Sequence, residues 1–99
     1  MLDKLPDHLV AYKKTPEFTE ISTPQSLRHG HNTKAGVWGK IVVLAGQLIY
    51  RILEPTVEEI VLTSGQVGIV EPTVRHEVVP GDDGRFYVEF YRDPSSHGD

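Results

Sequence analysis

At 99 residues, 38% apolar and 24% charged, the chain suits one compact domain with its own core and is too short for a separate cofactor domain beside it. It has no cysteine, which excludes a disulfide framework, a thiolate zinc site and a cysteine nucleophile and leaves nitrogen and oxygen donors for any metal. A net charge of −4 counts against a phosphate-tracking surface, so nucleic acid is not an expected partner.

The opening MLDKLPDHLVAYKK lacks the apolar core of a leader, and no apolar run approaches the roughly 18 residues that span a bilayer. The expectation is a cytoplasmic protein with no membrane contact. In the first 36 residues, His8 to Lys13 and Phe18 to Ser22 read as edge strands punctuated by Pro6, Pro16 and Pro24, wrapping a barrel formed by residues 37–92. Val37 to Leu53 holds two β-branched and aromatic runs broken at Ala45-Gly46-Gln47, which predicts a hairpin. Further runs follow at Glu59 to Leu62, Val67 to Val70, Arg75 to Val79 and Arg85 to Tyr91. Thr63-Ser64-Gly65, Glu71-Pro72 and Pro80 to Gly84 separate them as turns. No long window keeps helical periodicity, so helix is minor. Short strands at this spacing predict an all-β sandwich or a small β-barrel, in one domain over residues 1–99 with a frayed tail at 93–99.

Charge is unevenly placed. Ile21 to Leu53 contains no Asp or Glu but carries Arg28, Lys34, Lys40 and Arg51, whereas Glu54, Glu58, Glu59, Glu71 and Glu77 follow closely. This is either a set of solvated strand faces or a cavity that prefers anions, with Lys34 and Lys40 as the attracting charges. Histidines stand at positions 8, 29, 31, 76 and 97. On a strand, His29 and His31 would share a face and place two imidazoles on one metal ion; in a loop they face solvent. His76 heads a later strand that a barrel would bring near them. Trp38 reads as core or cavity wall. The chain has no GxGxxG, P-loop, HExxH or GxSxG, and Ser95, Ser96 and His97 sit in a tail that cannot preorganise a triad.

His29, His31 and Gly46, followed by Gly65, Pro72 and His76, resemble the two-part signature of the cupin superfamily, with Gly39 where ordinary cupins carry a glutamate. The strings His31-Asn32-Thr33-Lys34, Gly36, Trp38-Gly39-Lys40, Val43-Leu44 and Gly46, then Val70-Glu71-Pro72 with His76 and Phe90-Tyr91, are similar to the short cupin domain of the TehB/YeaR-like family. The likeness also takes in Leu9, Tyr12-Lys13 and Thr15-Pro16. That domain occurs alone or fused to a methyltransferase in tellurite-resistance proteins. The resemblance implies a double-stranded β-helix, or jelly roll, with a divalent metal (Zn, Fe, Mn or Ni) on His31 and His76, His29 being the weaker ligand, and a link to tellurite or nitrate stress. S-adenosylmethionine is not expected in a chain that ends after the cupin domain. For a third ligand, Glu89 comes first. It shares a strand face with Tyr87 and Tyr91, opposite Phe86, Val88 and Phe90, and points either into a partly polar interior or to solvent; Glu71 belongs at the rim.

Two functions follow as expectations. One is a metal-binding cupin that binds or processes a small anionic or oxyanion-like molecule, the metal serving as Lewis acid or redox centre if the protein is an enzyme. The other is a non-catalytic effector-binding or dimerising module with a structural metal or none. A barrel this small gains stability by pairing, which makes a homodimer a further expectation.

Overall fold

The β-branched and aromatic runs form antiparallel strands in the computed structural model, which describes residues 4–94. The elements are β1 (Val10–Lys14), β2 (Phe18–Thr19), α1 (Gln25–Arg28), β3 (Val37–Ala45), β4 (Gln47–Ile52), β5 (Glu58–Thr63), β6 (Val67–Val70), β7 (His76–Pro80) and β8 (Arg85–Arg92). Ser95, Ser96, His97 and all but the start of the expected tail lie outside the described residues. No helix among those described is long and apolar enough to cross a membrane.

The strands divide between two sheets. One runs β1-β8-β3-β6, with β2 also paired to β8; the other runs β5-β4-β7. Strand alternation turns Ile41 and Val43 of β3, Val70 of β6, and Phe86 and Val88 of β8 toward Leu48 and Tyr50 of β4, Leu62 of β5 and Val78 of β7. These side chains form one buried cluster, joined by Leu27 of α1. Tyr50 buries its ring and donates its hydroxyl proton to the carbonyl of Ile69 at 2.8 Å, so the phenol has a partner inside the core.

The all-β jelly-roll expectation holds, with two corrections. The sheets form an open sandwich and not one continuous closed barrel. The hairpin predicted across Gly46 does not exist either: β3 pairs with β6 and β8, whereas β4 pairs with β5 and β7. The chain passes from one sheet to the other at Gly46. This glycine has φ +63°, and a Cβ there would lie 2.5 Å from Asp83 Oδ1 and 2.6 Å from its carbonyl oxygen. Only glycine combines that left-handed backbone with so close an approach.

In the N-terminal part, β1 is an exposed edge strand, as expected, and its lysines and bulge discourage pairing with another chain. The second edge strand is shorter than expected. After Thr19 the backbone turns, with Thr23 donating its amide proton to the Thr19 carbonyl at 3.0 Å. It then enters the single turn of α1, which lies beside β7.

Candidate functional site

His31 and His76 come from distant parts of the chain and face each other directly. Each donates its amide proton to the other's carbonyl at 2.8 Å, and such a directly opposed antiparallel pair puts its side chains on one face. The rings meet edge to face with centroids 5.4 Å apart, and His76 meets Tyr50 the same way at 5.9 Å. His76 is 4% exposed. Its Nδ1 lies 3.1 Å from the Val74 carbonyl, which can only accept; that nitrogen therefore carries the proton and Nε2 the lone pair. His31 Nδ1 is buried and has no hydrogen-bond partner among the described residues. Burial lowers the pKa of both rings below the ordinary value. For His76 the Val74 hydrogen bond works in the opposite direction, and the neighbouring His31 adds to the lowering. Both imidazoles are therefore neutral at pH 7.

The HNTK string builds the mouth of a cavity next to this pair. Thr33 is buried. It donates its hydroxyl proton to the Val37 carbonyl at 2.8 Å and receives the Thr73 amide proton at its own carbonyl at 3.2 Å. Thr73 has φ +65°, an outlier for a β-branched residue, and the Thr33 contacts hold it there. The loop before β3 is thus tied to the turn before β7. The resulting cavity, of about 400 Å³, is lined by Lys13, Lys34, His31, Asn32 and Thr33, with Tyr12, Val37 and Phe90 as its apolar wall. Among the described residues, all its charged side chains are cationic.

Lys34, one of the two lysines of the anion expectation, lines this cavity. Lys40 does not. It lies on the outer face of the sheet, with its Nζ 3.6 Å from Glu89 Oε1 and 5.4 Å from the centre of the Tyr91 ring. Glu89 is out there too, and accepts the Tyr91 hydroxyl proton at 2.6 Å. Because Phe86 and Val88 turn into the core, alternation sends Glu89 outward, across the sheet from the imidazoles, and removes it as their third partner. His29 is corrected for a different reason. It ends α1 and is exposed, with Nε2 2.9 Å from Gln25 Oε1. Gly30, at φ +67°, then breaks the extended geometry that would have put His29 and His31 on one face. Glu71 is exposed and lines a separate cavity with Glu54 and Glu58.

Lys13 is the site residue that the strand pattern concealed. Ala11 opposes Tyr91, yet Lys13 opposes Phe90, so Tyr12 is an extra residue in β1. The bulge turns Lys13 to the inward face shared with Phe90. A regular strand would have sent it outward beside Glu89. Tyr12 itself is steadied by the Arg92 guanidinium, 4.6 Å from the centre of its ring.

As a donor set for a divalent metal, the site offers two imidazoles. No group of three His, Cys, Asp or Glu side chains placed to hold a metal exists among the described residues. The orphaned His31 Nδ1 and the lone pair on His76 Nε2 fit the histidine part of such a centre, and the remaining positions would fall to solvent or to a bound anion.

Comparison with known proteins agrees with this architecture. The model of the TehB-like domain matches residues 13–88. Over 90 residues the chain is 36% identical to a probable S-adenosyl-L-methionine-dependent methyltransferase TehB of Haemophilus influenzae strain Rd, covering 86% of this chain and 32% of that protein. The corresponding protein of strain 10810 is 34% identical with the same coverage. The chain thus spans about a third of the length of these curated relatives. Among solved structures, TehB from Haemophilus influenzae superposes with a TM-score of 0.84 at 32% identity, over 92% of this chain and 34% of that one. A protein from E. coli strain K12 gives a TM-score of 0.84 at 22% identity, over 95% of this chain and 99% of its own. A cupin-2 domain containing protein from Shewanella frigidimarina shares the fold alone, with a TM-score of 0.52 at 16% identity over 82% and 64% of the two chains. The chain is a cupin-fold member of the TehB-like domain family.

Proposed function

We propose that this domain binds a small anion in the cavity that His31 lines. One observation carries the reading: Lys13 and Lys34 are the charged side chains of a wall that also offers Asn32, Thr33 and a neutral imidazole, with no carboxylate lining it among the described residues. Such a wall attracts negative charge and supplies hydrogen bonds to orient it. This supports the anion expectation in its Lys34 part. The name methyltransferase describes relatives about three times as long as this chain, and the reading concerns the shared domain alone.

The expected result is a dose-dependent rise in melting temperature with nitrate, tellurite, acetate or benzoate at matched ionic strength, since ligand binding to the native state stabilises it by mass action. The rise shrinks in Lys34→Ala. Equal shifts in the two proteins, or none in either, would overturn the reading.

A second reading has its own observation, the orphaned His31 Nδ1 on a ring that packs edge to face against His76. On this reading His31 and His76 hold a divalent metal, which when bound supplies Lewis acidity to an oxyanion. Elemental analysis of untagged protein prepared without chelator is then expected to find near-stoichiometric metal that disappears in both His31→Ala and His76→Ala. Metal kept by both variants, or absent from the parent after supplementation, would reject it.

A further inference from the structure

We infer that the cavity selects an organic anion, a carboxylate carried on a compact apolar body such as an aromatic ring, over a bare inorganic oxyanion; the inference rests on the anion-binding reading above. Size decides first. An oxyanion of four heavy atoms has the bulk of two or three waters, roughly 60–90 Å³ at water's share of about 30 Å³ each. The cavity offers about 400 Å³, within the range of about 300–1,000 Å³ in which proteins hold organic ligands. A bare oxyanion would leave most of that volume to water and would remain largely hydrated.

The wall makes the same distinction. Its cations are accompanied by Tyr12, Val37 and Phe90, side chains that a bare oxyanion cannot use and that an apolar body would cover. Phe90 is a firm part of that wall, because it also packs against the buried core. Tyr12 is 43% exposed, and its ring is already backed by Arg92, so it presents an amphipathic surface without first having to be ordered. The bulge at Tyr12 places this aromatic next to Lys13. A neighbouring cation and aromatic ring are what a carboxylate attached to a flat apolar group requires. Lys34, on the HNTK loop, supplies the second positive charge.

Benzoate serves as the probe, with nitrate, tellurite, acetate and uncharged benzamide as comparisons, each titrated into uniformly ¹⁵N-labelled protein at constant ionic strength. The expected result is saturable shifts of the amide signals of Lys13, His31, Asn32, Thr33 and Lys34. Benzoate should bind at least tenfold more tightly than acetate, the inorganic anions or benzamide. The double variant Lys13→Ala, Lys34→Ala, both on exposed positions, should lose at least tenfold in benzoate affinity while its remaining spectrum stays that of the folded parent. Nitrate or tellurite binding as tightly as benzoate in a Lys34-dependent manner would overturn the organic-anion inference and leave the anion reading standing. Benzamide matching benzoate would overturn both, since charge would then play no part, and so would the absence of binding by every anion.

Discussion

Replacing Phe86 by alanine is expected to lower stability by about 3–5 kcal/mol, the range for truncating a fully enclosed phenylalanine. The side chain is 0% exposed. It sits on β8, the strand to which β1, β2 and β3 all pair, and its ring meets Phe18 at 5.7 Å with the planes tilted by 59°. Its loss removes apolar burial from both sheets and leaves a cavity that strands fixed on either side can fill only in part. Domains of this size are stable by about 5–15 kcal/mol, so one substitution removes a large share of the total. Urea denaturation should show the midpoint falling with the slope unchanged. Val61→Ala is the comparison, at a position 54% exposed, where the change should stay within about 0.5 kcal/mol. A loss at Phe86 no greater than at Val61 would contradict the assignment of β8 to the centre of the core.

The strands could be read from the sequence because β-branched and aromatic runs between glycine and proline breaks are local signals. Their division into sheets could not. Gly46 looks like the reversal of a hairpin and is in fact a crossing, since the partners of β3 and β4 lie far along the chain and no short window encodes them. The site divides in the same way. His31, His76 and Lys34 were accessible through the family string. His29 was misplaced because a single positive φ at Gly30 cancels the strand periodicity behind its assignment. For Glu89 the alternation was correct and the face was left open: three apolar side chains at 86, 88 and 90 outweigh one carboxylate between tyrosines when the core is chosen. Lys13 escaped because a bulge leaves little mark in a single sequence, yet it reverses the facing of the residues beyond it.

His76 gives the second large effect, with a pH dependence whose sign can be derived. Replacement by alanine is expected to cost about 2–4 kcal/mol at pH 7.5, from the lost volume of a buried ring and the Val74 carbonyl left without its donor. The histidine pair also links stability to protons. Burial holds both pKa values below those of an unfolded chain, where histidine titrates near about 6.5. As pH falls through that value the unfolded state takes up protons that the folded state resists, so stability rises with pH across this window. The contribution is complete above the unfolded pKa and is lost progressively toward the lower folded values. In EDTA, which keeps adventitious metal from competing with protons, the urea midpoint of the parent should fall between pH 7.5 and pH 5.5. His76→Leu, which keeps most of the volume and cannot titrate, should flatten that dependence although it starts from a lower midpoint. His31→Leu should flatten it in part, because it removes the other ring whose pKa burial lowers and, to a smaller extent, the neighbour that opposes the charging of His76. A parent slope preserved in both variants would place the proton linkage elsewhere and show that the two rings do not form a buried neutral pair.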